Sequence, residues 1–118
     1  MAEFARLTTI DEVKSWYASP DARFLYVSSP NCSVCESLFP QIEPILLAHP
    51  EIRSARVDVA DVPEIAGELS IFTAPVLLLF LDGKEMHREA RIVPVERFRQ
   101  RVEQIGAFVK SEAVDSEK

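Results

Sequence analysis

Cys32 and Cys35 are the only cysteines in the chain, and they stand as Cys32-Ser33-Val34-Cys35. Two thiols at this spacing can exchange a disulfide if one is an accessible thiolate and the other lies close enough to resolve the mixed disulfide. A helical pattern begins just after Cys32. This puts Cys32 at a helix N-terminus, where unpaired amides and the helix dipole favour a negative sulfur. Cys35 lies one turn further in and is expected to be more buried. Lowering a thiol pKa by one unit takes only ~1.4 kcal/mol of preference for the thiolate, within reach of a helix end. The expected roles are Cys32 as nucleophile and Cys35 as resolving thiol. Metal binding is the rival chemistry, but a metal usually needs four ligands. The two histidines, His49 and His87, lack ligand spacing to Cys32, so no metal site within one chain is expected; a site bridging two copies of the pair is the remaining metal alternative. His49, before Pro50, reads as a solvated cap, and His87 as an exposed strand residue.

The rest of the composition narrows the class. A chain of 118 residues with 47% hydrophobic residues suits one domain with its own core. Nineteen acidic against 13 basic residues give a net charge of −6. No basic stripe is present, so nucleic acid is not an expected partner. Met1 to Ile10 carries Glu3 and Arg6 and has no apolar signal-like run. The most hydrophobic stretch, Val76 to Leu81, is too short to span a bilayer. The expectation is a cytoplasmic protein without membrane attachment, where a lone C-x-x-C reads as redox or metal chemistry rather than a structural staple.

The cysteines need elements to hold them. Glu3 to Leu7 is a short candidate strand. Thr9 and Glu12 have capping-box spacing, and Ile10, Val13, Trp16 and Tyr17 share one helical face that reads as core. The run Phe24-Leu25-Tyr26-Val27 within Arg23 to Ser28 fits a buried strand, and Pro30-Asn31 ends it. A helix is predicted from about Ser33 to Ala48 with Leu38, Ile42, Ile45 and Leu46 inward, kinked near Pro40 or broken near Pro44. Ala55, Val57 and Val59 alternate as in a strand. Asp61 and Glu64 again have capping-box spacing, and Val62, Ile65, Ala66 and Leu69 make a short amphipathic helix. Val76 to Leu81 is a strand, Asp82-Gly83 a hairpin turn, and Glu85 to Ile92 the return. Pro94 opens a last helix with Val95, Phe98, Val102, Ile105 and Val109 inward. The order is β-α-β-α-β-α-β-β-α: an α/β fold with a mixed central sheet and helices on both faces. Residues 1–110 form a single domain, and 111–118 a polar tail expected to fray.

This order, with C-x-x-C between the second strand and a helix, resembles the thioredoxin superfamily over almost the whole chain. Four features carry the resemblance: Cys32-Ser33-Val34-Cys35, Pro40 in the following helix, Thr73-Ala74-Pro75 before a strand, and the turn Phe80-Leu81-Asp82-Gly83-Lys84. The resemblance implies a thioredoxin-like fold and a cis Ala74-Pro75 bond facing the sulfurs. It also implies that the Ala74 backbone is left to pair with an extended substrate, with Val34 and Phe72 as an apolar rim. The implied function is thiol–disulfide oxidoreductase. Cys32 and Cys35 would exchange dithiol and disulfide with protein substrates and a reducing partner, with no cofactor beyond their own redox-active disulfide. The alternative is a thioredoxin-fold binding or adaptor module with little turnover.

Departures from the family pattern are as informative. Asn31 and Ser33-Val34 replace the Trp and Gly-Pro of many thioredoxins. Tyr26 stands where many have a buried acid, and reads as core. Glu36 reads as a favourable first-turn acid in preference to a proton acceptor. The Gly-Gly of glutaredoxins is absent after the hairpin. Arg91 stands where a glycine is common. There it either favours the Cys32 thiolate and acidic substrate segments, or points to solvent at the end of an edge strand.

Overall fold

The apolar runs settle into the middle of a five-stranded sheet. The computed structural model describes residues 4–116. Strands β1 (Ala5–Leu7), β2 (Ala22–Ser28), β3 (Arg53–Asp58), β4 (Val76–Leu81) and β5 (Lys84–Ala90) alternate with helices α1 (Ile10–Tyr17), α2 (Ser33–Leu47), α3 (Ile65–Leu69) and α4 (Val95–Ser116). The sheet order is β1-β3-β2-β4-β5. β3 runs parallel to β1 and β2, whereas β4 is antiparallel to both β2 and β5. The two most hydrophobic strands, β2 and β4, pair with Leu25 opposite Leu78 and Tyr26 opposite Leu77.

Strand alternation sends side chains to two cores. Leu25, Val27, Ala55, Val57, Val76 and Leu78 pack with Val13 of α1 and Ile65 and Leu69 of α3. Phe24, Tyr26, Leu77 and Leu79 meet Leu38, Ile42 and Leu46 of α2 and Phe98 and Val102 of α4. Trp16 and Tyr17 are half-buried against the first core. The Arg23 guanidinium stands 4.3 Å from the centre of the Trp16 ring, and Tyr17 stacks on Phe80.

Local signals set the boundaries. Thr9 Oγ1 accepts from the Glu12 N–H at 3.2 Å, and Glu12 returns the bond to the Thr9 N–H at 3.1 Å, the capping box read from sequence. Asp82 (φ 52°) and Gly83 (φ 80°) both take positive φ, as a two-residue hairpin of type I′ requires.

Elsewhere the fold departs from the sequence reading. α2 does not break at Pro44 but runs on to Leu47. Pro40 and Pro44 are four residues apart and both exposed, so the carbonyls they leave unpaired face water, while Leu38, Ile42 and Leu46 hold the inner face. The capping box expected at Asp61 and Glu64 does not form. The N–H groups of Asp61 and Val62 both turn back to the Asp58 carbonyl, at 3.0 and 3.1 Å, and the helix starts only at Ile65. α4 continues through Ser116, so residues 111–116 are helical where a frayed tail was expected.

Both histidines are less exposed than their sequence context suggested. His49 Nδ1 lies 2.9 Å from Glu51 Oε2. The pair packs on α4 at Gly106, where a Cβ would collide with the Glu51 carboxylate. His87 is mostly buried, with Nε2 2.8 Å from Glu89 Oε2.

Candidate active site

β2 delivers the chain to the C-terminal end of the sheet, and the turn into α2 places the sulfurs. Asn31 takes a left-handed conformation (φ 57°), which asparagine tolerates better than most residues. Cys32 follows in extended geometry as the N-cap of α2. Its Sγ accepts a hydrogen bond from the Cys35 N–H at 3.1 Å. A cap acceptor at a helix N-terminus is where a developing negative charge is favoured. Cys32 and Cys35 are joined as a disulfide, with Cα atoms 5.2 Å apart. Cys32 is half-buried, and Cys35 is only 4% exposed. An incoming group therefore has access to the first sulfur and little to the second.

Of the site residues read from sequence, Val34, Phe72, Ala74 and Arg91 line two adjoining grooves, whereas Cys32, Cys35 and Pro75 line neither. Val34, Ala74 and Arg91 line one of about 430 Å³, together with Leu38, Ile92 and Val93. Phe72 and Ala74 line another of about 520 Å³, with Ile71, Val59, Pro63 and Ala66. Ala74 thus stands between the two. The Ala74-Pro75 bond is cis, and Pro75 is buried. Val34 (51%) and Ile92 (89%) on the first groove and Phe72 (83%) on the second are strongly exposed apolar side chains.

Arg91 occupies a position whose backbone suits glycine, with φ at 67°. Its N–H donates to the Pro75 carbonyl at 2.9 Å, tying the connection after β5 to the proline. Ile92, which the sequence reading placed at the end of a strand, lies beyond β5 in that connection. The signal that marks it is an apolar residue just before Val93-Pro94, where a helix is about to start.

Behind Cys35 is a recess of about 340 Å³ lined by Tyr26, Glu36, Phe39, Arg56 and Asp58, among others. Arg56 and Asp58 belong to β3 and were not singled out by the sequence. Tyr26 donates its hydroxyl proton to the Cys35 carbonyl oxygen at 2.6 Å. Burial pushes its pKa up to about 12, opposed by the nearby Arg56 cation, so at neutral pH Tyr26 is a donor and not a base. Among the described residues, no group of three or more His, Cys, Asp or Glu side chains is placed to hold a metal ion. No helix among them is long and apolar enough to cross a membrane.

Comparison with known proteins adds ancestry to this geometry. The sequence model of the thioredoxin family matches residues 12–104. The thioredoxin-like protein YdfQ of Bacillus subtilis is 36% identical over 112 residues, covering 95% of this chain and 100% of that protein. The thioredoxin of Malassezia sympodialis superposes with a TM-score of 0.79 at 18% identity, over 90% of this chain and 93% of that one. That of Fasciola hepatica gives 0.77 at 21% identity, over 86% and 99%.

Proposed function

Because the chain belongs to the thioredoxin family, we propose that it is a thiol–disulfide oxidoreductase acting on protein disulfides through Cys32 and Cys35. The observation that carries this reading is the N-cap position of Cys32, bonded by the Cys35 amide while Cys35 itself is buried. In the reduced protein the same amide and helix end favour the Cys32 thiolate. That thiolate attacks one sulfur of a substrate disulfide, forms a mixed disulfide and releases the other sulfur as a thiolate. Cys35 then loses its proton and attacks the Cys32 sulfur. The Cys32–Cys35 disulfide forms, and the second substrate thiolate leaves. Two electrons pass to the substrate, and two protons, one from each protein thiol, balance its two new thiols. A dithiol reductant of the cytoplasm resets the pair by the same exchange in reverse.

The grooves on either side of Ala74 receive the extended segment that carries the substrate disulfide. Val34, Phe72 and Ile92 supply apolar contact, and Arg91 favours an acidic neighbour. The pair needs no cofactor beyond its own sulfurs, and a net charge of −6 disfavours nucleic acid as a partner.

The test is turbidimetric reduction of insulin disulfides with dithiothreitol, comparing the wild type with Cys32→Ser. Acceleration by the wild type alone supports the reading. If neither protein accelerates the reaction, the alternative of a thioredoxin-fold binding module gains. That second reading draws on Tyr26, which gives the Cys35 region a hydrogen-bond donor in place of a buried carboxylate.

A further inference from the structure

The connection between β5 and α4 carries Arg91, Ile92 and Val93, three residues of the groove beside Val34. It is exposed at Arg91 and Ile92, and Arg91 holds a left-handed backbone (φ 67°) that a non-glycine residue adopts only when its surroundings enforce it. One enforcing contact is the Arg91 N–H bond to Pro75.

A second lies just outside the groove. Glu89, near the end of β5, is 4% exposed, the most buried acid on the sheet. Its carboxylate accepts a bidentate fork from Arg97, Nε at 2.8 Å to Oε2 and Nη2 at 2.7 Å to Oε1. His87 Nε2 stands 2.8 Å from the same Oε2. Arg97 belongs to the first turn of α4. The fork therefore spans residues 90–96 and joins the two ends of the connection. A buried carboxylate is costly unless paired, and a bidentate guanidinium fixes direction as well as charge.

We propose that Glu89 and Arg97 form a clasp across the β5–α4 connection that positions the Arg91–Val93 wall of the groove for the substrate segment. They are positioning residues: neither lines the groove nor touches a sulfur. The inference rests on the disulfide-exchange reading above and adds to it how one wall of the substrate site is held. A staple that merely stabilised the fold would leave substrate affinity unchanged in the folded fraction.

The test compares Arg97→Met with the double variant Glu89→Met/Arg97→Met, which removes the buried charge together with its partner and so spares the fold an unpaired carboxylate. Each is assayed with insulin under dithiothreitol and, pre-reduced and freed of other thiols, in a single turnover with a small aromatic disulfide, whose own exchange with dithiothreitol would otherwise mask the protein's; amide hydrogen exchange is followed at Arg91. The expected result is a KM for insulin raised roughly fivefold or more with kcat changed less than about twofold. The small disulfide should react at the wild-type rate, and the Arg91 amide should exchange roughly tenfold faster or more while amides of β2 and β4 keep their protection. An unchanged KM, or losses on both substrates in step with the unfolded fraction, overturns the proposal. If the wild type reduces neither substrate, the oxidoreductase reading fails and the exchange rate alone decides: a faster Arg91 amide keeps the clasp, an unchanged one removes it.

Discussion

The Tyr26 hydroxyl and the Cys35 carbonyl oxygen are 2.6 Å apart, so a residue of the central strand β2 is hydrogen-bonded to the first turn of the helix that carries Cys35. The bond fixes the backbone of Cys35 without placing a titrating group beside it at neutral pH.

Tyr26→Phe should lower stability by about 1 kcal/mol, the usual net worth of a buried neutral hydrogen bond. The urea midpoint of the oxidised protein measures this. The Cys32 alkylation rate of the reduced protein should stay near the wild-type value, since the lost bond is to a carbonyl and not to the thiol.

Alkaline stability follows from the same residue and from Tyr17. Tyr17 is held up to about 12 by its hydrogen bond to Glu68, and Tyr26 up to about 12 by burial. Both values lie above that of an unfolded tyrosine, so the protonated form is favoured in the fold. The stability contributed is full below pH ~10 and is lost as pH rises from there through about 12. Absorbance titration of tyrosinate should show neither of the two tyrosines ionising near pH 10 while the protein is folded. A full step at that pH would refute it.

In the reduced protein, iodoacetamide at neutral pH should modify Cys32 much faster than Cys35, because thiolate fraction and exposure both favour the N-cap sulfur. Mass spectrometry after partial labelling reads the ratio. Preferential labelling of Cys35 would reverse the assigned roles.

Arg91→Gly should do two separable things. Removing a side chain from a left-handed position (φ 67°) relieves backbone strain, and a stability gain of about 0.5–1 kcal/mol is expected. If the guanidinium favours the Cys32 thiolate across the groove, the midpoint of Cys32 alkylation against pH should rise by a few tenths of a unit at low salt. The difference should shrink as salt is added. Coincident curves at low salt would leave Arg91 without influence on the thiol.

At the acid end, Glu89 is the group to watch. The Arg97 fork, with His87 behind it, holds its carboxyl below the ordinary glutamate value of 4.5 against the opposing effect of burial. The stability this contributes is present above 4.5 and is lost as pH falls through the lower folded value. The urea midpoint of the wild type should therefore fall more steeply below that pH than the midpoint of Glu89→Gln.

Much of the fold was legible because its signals are local. The strand runs, the Thr9–Glu12 box, Asp82-Gly83 and the C-x-x-C before a helix each need only a few neighbouring residues. What stayed hidden depends on contacts distant in the chain. Pro44 reads as a breaker until the exposed side of α2 is known. Asp61 and Glu64 look like a capping box, but Asp58, the last residue of β3, claims the local amides first. His87 reads as an exposed strand residue; only the packing of α4 brings Arg97 onto Glu89, the carboxylate that His87 faces. The N-cap position of Cys32 and the burial of Cys35 were readable from spacing and helix position. The grooves were not, since Val34, Ala74 and Arg91 meet only when α2, the turn before β4 and the connection after β5 converge.

The order β1-β3-β2-β4-β5 also decides what the sheet shows at its rims. One rim is β1, only three residues long. The other is β5, which carries Lys84, Glu85 and Arg88 and is kinked against β4 by an irregularity at Leu79/Phe80. Short, charged and bulged edges are poor templates for another chain's strand. The long hydrophobic strands β2 and β4, the segments most prone to join a fibril, are sealed in the interior of the sheet. If the proposed grooves do receive extended chains, the protein is thereby guarded against recruiting them into its own β-structure and aggregating with them.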